Sequence, residues 1–134
     1  MGNLKNQIEG KIGIQKYLCT INWRNGKLLM DEPQSIGGKD LGPDPMSTLL
    51  ASLAGCTLAT LRMYIDRKEW NIDEIKVSMN LTQDDSETFV TTITRNISFS
   101  TEITEEQRER LLLIAEKCPV SKLLKNTIKI ETTV

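Results

Sequence analysis

Leu49-Leu50-Ala51-Ser52-Leu53-Ala54-Gly55-Cys56-Thr57-Leu58-Ala59-Thr60-Leu61-Arg62-Met63-Tyr64-Ile65 is the stretch on which the reading of this chain turns. Wound as a helix, it carries Leu49, Leu50, Leu53, Ala54, Leu58, Leu61 and Ile65 on more than one side. A helix that is apolar nearly all round is covered by protein rather than laid on a surface. The segment is therefore expected to be a buried central helix. Asp44 or Ser47 can cap it, and Pro45 suits its first turn. It becomes charged at Asp66-Arg67-Lys68-Glu69, where it should leave the core. Ser52, Thr57, Thr60 and Arg62 interrupt it, and the run is short for a bilayer span, so no membrane partner is expected.

Upstream, residues 10–32 read as a β meander. Lys16–Ile21 is rich in strand formers, Arg24-Asn25-Gly26-Lys27 carries an Asn-Gly hairpin signal, and Lys27–Met30 is the return strand. Glu32 to Pro45 holds Pro33, Gly37, Gly38, Gly42, Pro43 and Pro45, a loop with no room for a regular element. Downstream, Ile72–Leu81 reads as a strand, with Ile75, Val77, Met79 and Leu81 on one face. Phe89–Ser100 reads as another, with Val90, Ile93, Ile97 and Phe99 apolar; Gln83-Asp84-Asp85-Ser86 is the polar loop between them. Thr104-Glu105-Glu106-Gln107 is a capping box that starts a helix running to about Lys117. Pro119 cannot continue that helix and suits the first turn of a short one, Val120–Leu124. Thr127–Thr132 is expected to close as a strand. The class is α+β: a buried helix packed on a mostly antiparallel sheet.

A length of 134 residues fits one domain, 1–134, large enough to bury a core without staples. A net charge of −1 gives no pull toward nucleic acid or an anionic membrane, and 4% aromatic residues leave little for a base-stacking platform. The start, MGNLKNQIEGK, lacks the apolar core of a secretory leader, and Asn6 stands where myristoylation needs Ser or Thr. Three cysteines without a CxxC pair make neither a disulfide framework nor a zinc site, so the expected compartment is a reducing cytoplasm. No metal or cofactor is expected.

With no histidine in the chain, thiols are the first candidates for chemistry. Cys56 is open to two readings. It can be a small hydrophobe in a helix core, or it can be a nucleophile. A free thiol has a pKa near ~8.5, and lowering it to about 6.5 takes roughly 2.7 kcal/mol of preferential thiolate stabilisation. An apolar helix pushes the other way, so a cation must reach Cys56. Arg62 is nearly two turns along the same helix and is poorly placed. Arg24, on the hairpin, can reach Cys56 only through the tertiary fold. Cys118, just before Pro119, stands at a helix start where free N–H groups and the helix dipole favour a thiolate. It too can be a mere packing or cap residue, or else a second thiol that resolves an oxidised Cys56. Cys19, between Leu18 and Thr20 in a strand, reads as structural.

At these residues the chain resembles a known family. Gly42-Pro43-Asp44-Pro45, Leu49 to Thr57 and Leu61-Arg62-Met63-Tyr64 resemble the first cysteine motif of the OsmC/Ohr family. Cys118-Pro119-Val120 with Ser121-Lys122-Leu123-Leu124 resembles the second, and Asp31-Glu32-Pro33 with Gly37-Gly38 the loop before the helix. The resemblance runs from about residue 14 to 132 and is strongest to the OsmC-like branch called YhfA-like. It implies an intertwined homodimer and a thiol-dependent peroxidase that reduces organic hydroperoxides in oxidative-stress defence. Cys56 would be peroxidatic, Cys118 resolving, and a thiol reductant would regenerate the pair. The family arginine that holds the thiolate would be Arg24, the one arginine before Cys56. The family glutamate that holds this arginine falls at Met46 and Ser47, where no carboxylate stands. That departure implies a less acidic Cys56 and weak or redirected peroxidase activity.

A binding protein is the second expectation: an OsmC-like dimer that holds a small apolar ligand, its cysteines structural or redox-sensing. A third is a sulfur carrier, since Cys-Pro at a helix start also suits a persulfide-accepting thiol.

Overall fold

The computed structural model describes residues 4–86 and 89–134. Met1–Asn3, the beginning of the stretch read for a leader, lie outside them. The chain divides into two compact units, one ending at Leu49 and one spanning Leu50–Val134.

The first unit is an antiparallel meander of β1 (Glu9–Ile12), β2 (Cys19–Trp23) and β3 (Gly26–Met30). Ile12 pairs with Cys19, Cys19 with Met30, and Trp23 with Gly26. The reversal therefore falls on Arg24-Asn25, one residue earlier than an Asn-Gly turn would put it, and Gly26 opens the return strand. Gly26 belongs there for space: a Cβ would meet the Trp23 ring at 2.9 Å.

Asp31 organises the loop that follows. It is 2% exposed, and its carboxylate accepts N–H bonds from Glu32 (2.8 Å), Leu41 (3.2 Å), Tyr17 (3.3 Å) and Lys39 (3.3 Å). Burial pushes this carboxyl up, but the four N–H donors outweigh it and hold the pKa below the usual aspartate value. Within the loop Gln34–Ile36 forms one 3-10 turn, which corrects the expectation of no regular element between Glu32 and Pro45.

One helix then runs from the first unit into the second. This is α1, Pro45–Arg67, 23 residues. Asp44 caps it by accepting the Ser47 N–H at 3.2 Å, with Pro45 as the first helical residue. The helix extends beyond Leu49–Ile65 at both ends; by length and composition alone its 23 residues would reach across a bilayer, a test that a helix in a protein core also passes. It is not buried on all sides. Leu53, Thr57, Leu61, Tyr64 and Ile65 form one buried stripe. Met46 and Leu49, in the first turns ahead of that stripe, are exposed, and Met63, on another face, is 70% exposed. The helix stops where Glu69 takes φ 55° and the Trp70 N–H reaches back to the Ile65 carbonyl at 3.1 Å.

The rest of the second unit is a hairpin of β4 (Ile75–Gln83) and β5 (Thr91–Phe99), then α2 (Glu105–Glu116) and α3 (Pro119–Lys125). Its core joins Leu61, Tyr64 and Ile65 of α1 with Ile72, and with Leu111 and Ala115 of α2, over Ile75, Ile97 and Phe99 of the strands. The capping box of α2 forms in full: Thr104 accepts from the Gln107 N–H, and the Gln107 side chain accepts from the Thr104 N–H. Among the described residues the strands form two antiparallel sheets, one of three strands and one of two, rather than the single sheet expected. Residues 127–134 form no strand. A strand needs a hydrogen-bonded neighbour, and the described residues supply none there.

Candidate active site

Four elements of the second unit bring the thiol site together. From α1 come Cys56 and, one residue on, Thr57. From α2 and α3 come Glu116, Cys118, Ser121 and Lys125. From β5 comes Arg95.

Cys118 is the N-cap of α3, because Pro119 starts that helix and the Cys118 backbone is extended. Its sulfur accepts the Ser121 N–H at 3.4 Å and lies 4.0 Å from Thr57 Oγ1. Cys118 is fully buried, whereas Cys56 is half-buried. Thr57, one residue on from Cys56, brings α1 against Cys118, and each thiol shifts the proton affinity of the other.

Their proton affinities move in opposite directions. Burial pushes the Cys56 thiol up, and Cys118 pushes it further through their hydrogen bond and charge repulsion; the Val120 N–H and the Thr60 hydroxyl offset only part of this. Burial also acts against ionised Cys118. There it is outweighed by the Ser121 N–H, the Cys56 thiol, the Thr57 hydroxyl and the charge of Arg95, so Cys118 falls below the ordinary cysteine value. Of the two, Cys118 is the one whose surroundings favour the thiolate.

Arg95 is the residue that sequence reasoning missed. Its Nη1 donates to Thr57 Oγ1 at 2.9 Å, and its Nη2 donates to Glu116 Oε1 at 3.3 Å. The side chain is only 12% exposed. Glu116 in turn pairs with Lys125. A signal was present. On β5, Ile93, Arg95, Ile97 and Phe99 share one half-buried face, and Arg95 stands opposite Met79 as Ile97 stands opposite Val77. A guanidinium in phase with an apolar face needs a partner indoors, and reading that face only for its apolar members passed over it.

Arg24 lies in the hairpin turn of the first unit, its guanidinium over the Trp23 ring at 5.6 Å from the centroid. Arg62 faces away from thiol chemistry, donating to the Ile72 and Asp73 carbonyls at 2.9 and 2.7 Å. Cys19, in β2, directs its S–H at the Tyr17 carbonyl at 3.6 Å and lines a largely apolar cavity of about 370 Å³ in the first unit. Among the described residues no three acidic or cysteine side chains come together as metal ligands.

Beside Arg95 and Ser121 the second unit opens a cavity of about 340 Å³. Leu53, Ile93 and Leu124 give it apolar wall; Arg95, Glu116, Ser121 and Lys125 give it a polar end. It suits a small molecule with an apolar body and one polar group.

Two antiparallel sheets with a long helix, and one half-buried and one buried cysteine beside a fixed guanidinium, define a class of small α+β proteins. Comparison with known proteins makes the class specific. The family model of OsmC-like protein matches residues 37–133, and the chain belongs to that family. Comparison with curated proteins gives no match. Among solved structures, the OsmC like protein from Mycoplasma pneumoniae superposes with a TM-score of 0.76 at 19% identity, covering 92% of this chain and 89% of that one. An organic hydroperoxide resistance protein from Elizabethkingia anophelis, with crystallant-derived thiocyanate bound, gives 0.71 at 19% identity, over 96% and 94%. An organic hydroperoxide resistance protein OsmC from Legionella pneumophila gives 0.66 at 15% identity, over 92% of each chain. At these identities the likeness is one of fold.

Proposed function

We propose that this chain is a single-domain, thiol-dependent peroxidase for organic hydroperoxides, with Cys56 as the sulfur that meets the peroxide and Cys118 as the sulfur that closes a disulfide with it. The observation that carries the reading is the meeting of α1 with the Cys118 N-cap: Thr57 Oγ1, one residue on from Cys56, lies 4.0 Å from the Cys118 sulfur, with Cys56 half-buried and Cys118 fully buried. Attack by Cys56 on the peroxide gives a sulfenic acid, and a neighbouring thiol converts that to a disulfide before further oxidation. Family membership and the hydroperoxide-resistance names of two fold relatives support the substrate class. The apolar wall of Leu53, Ile93 and Leu124 favours an organic hydroperoxide over hydrogen peroxide. A thiol reductant in a reducing cytoplasm would restore the pair, and neither metal nor cofactor enters the scheme.

The cationic role expected of Arg24 passes in this proposal to Arg95, with Glu116 as its carboxylate, because Arg95 is the guanidinium whose charge reaches Cys118. A homodimer is part of the reading. Its support is the open side of α1, where Met63 is exposed and Gly55 has nothing within 4 Å of where its Cβ would stand. The test is peptide mapping after treatment with cumene hydroperoxide. A Cys56–Cys118 disulfide is expected; two free thiols in a folded, peroxide-treated protein overturn the reading.

A second reading, small-ligand binding without thiol chemistry, draws on the upward push on the Cys56 thiol. It requires an apolar ligand that raises Tm equally in the wild type and in Cys56→Ser.

A further inference from the structure

We propose that the second unit holds a binding site for a free aromatic amino acid, in a cavity between the end of α1 and one face of α2. No cysteine lines this cavity. The site therefore stands apart from the peroxidase reading, and either can hold without the other.

The cavity measures about 310 Å³, at the small end of the range for ligand pockets, about 300–1,000 Å³. Tyr64 and Trp70 line it, their rings meeting edge to face at 5.6 Å between centroids. Lys68 stands just past the end of α1. Glu106, Glu109, Arg110 and Leu113 come from α2 at the spacing i, i+3, i+4 and i+7, which sets all four on one helix face. Tyr64 is 6% exposed, and its hydroxyl oxygen is buried with no hydrogen-bond partner among the described residues. Buried hydroxyls are nearly always bonded, and an unbonded one is unfavourable. Tyr64 belongs to the cavity wall, so a polar group seated in the cavity can supply that bond.

The charges around the cavity name the class of ligand. Lys68, Glu106, Glu109 and Arg110 form no ion pair among the described residues. Spacing does not prevent one. Arg108 pairs with Glu105 on the same helix at 3.6 Å, and Glu106 and Arg110 stand at the favoured i,i+4 spacing. Lys68 lays its ammonium over the Tyr64 ring, 5.8 Å from the centroid. Two cations and two carboxylates round one small space sum to no net charge. A singly charged ligand meets attraction and repulsion there together. A zwitterion with an apolar body meets a complementary group at each end. An α-amino acid with an aromatic side chain has that layout: its carboxylate toward Lys68, Arg110 and the Tyr64 hydroxyl, its ammonium toward Glu106 and Glu109, its ring against Trp70 and Leu113.

The test reads Trp70. The chain has two tryptophans, so Trp23→Phe leaves Trp70 as the one emitter, and phenylalanine does not absorb where tryptophan is selectively excited. The Trp23→Phe protein is titrated with L-phenylalanine to millimolar concentration, and with 3-phenylpropanoate and phenethylamine, each of which lacks one of the two charges. The shift in Tm is measured on the wild type as well, so the outcome does not depend on the variant. Phenylalanine is expected to change Trp70 emission saturably and to raise Tm. Either analogue should bind about tenfold more weakly, the low end for loss of a hydrogen bond to a charged group. Tyr64→Phe, which removes the hydroxyl alone, should bind phenylalanine roughly two- to tenfold more weakly, the worth of one hydrogen bond, while the ligand-free variant melts no lower than wild type. Absence of binding by phenylalanine overturns the proposal, as does equal binding of the two analogues and phenylalanine. Wild-type affinity in Tyr64→Phe, or a lower Tm of that variant without ligand, assigns the hydroxyl to the fold and overturns it too.

Discussion

Arg95 donates to Thr57 Oγ1 at 2.9 Å, and through that one bond a guanidinium on a strand is tied to the helix residue beside Cys56 and facing Cys118. Thr57 is fully buried and its oxygen serves Arg95, the Leu53 carbonyl and the Cys118 sulfur at once. Thr57→Val keeps the shape and removes the oxygen. A buried N–H donor of Arg95 is then unpaired, an effect of about 1–3 kcal/mol. We expect a correspondingly lower denaturant midpoint with an unchanged m-value, and a slower reaction with hydroperoxide. Arg95→Lys should recover part of the rate and Arg95→Gln none of it, since glutamine cannot carry the charge that Cys118 feels.

In a Cys19→Ser background, thiolate absorbance should rise in two separated steps on titration with base. The first should lie below the ordinary cysteine pKa and belong mainly to Cys118; the second should lie above it and belong mainly to Cys56. Each single variant shows the coupling. Cys56→Ala removes a donor to Cys118 and should raise the first step. Cys118→Ser removes a like charge from beside Cys56 and should lower the second, although burial keeps it above the first step of the wild type. The linkage to stability has a definite sign for Cys118. Its folded pKa is depressed, so its contribution is present above the unfolded thiol pKa and is lost as pH falls through the folded value.

Two glycines behave oppositely under substitution by alanine. At Gly38 a Cβ would stand 2.0 Å from the Glu32 carbonyl oxygen, so the backbone must move. Gly38→Ala should cost about 1–3 kcal/mol by overpacking. At Gly55 nothing lies within 4 Å, and in an isolated helix interior alanine is favoured by up to about 1 kcal/mol. If the open face of α1 meets a second copy, Gly55→Ala should instead weaken association. Sedimentation at several concentrations reads this directly; a more stable protein with unaltered association speaks against an interface at that face.

The parts of this molecule that are legible in its sequence are those fixed by local rules. Thr104 and Gln107 announce a helix start, Pro119 forces a new helix after Cys118, and the alternation of Ile75, Val77, Met79 and Leu81 marks a half-buried strand. What escaped depends on partners distant in the chain. Arg95 acts on Thr57, 38 residues away, and attention to arginines upstream of Cys56 left it unread. Thr127–Thr132 has strand composition but lacks a neighbour, and composition cannot supply one. The face of α1 around Gly55 looked like core because its apolar residues ring the helix, while the described residues of its own unit bury only the stripe from Leu53 to Ile65.

The most direct test of the account is the stoichiometry of thiol loss. Reduced protein is titrated with cumene hydroperoxide under native conditions, and free thiols are counted after unfolding. The account requires two thiols lost for each hydroperoxide consumed, ending with Cys19 as the one thiol left. Retention of all three thiols, or loss of Cys19 while Cys56 and Cys118 stay reduced, would contradict it.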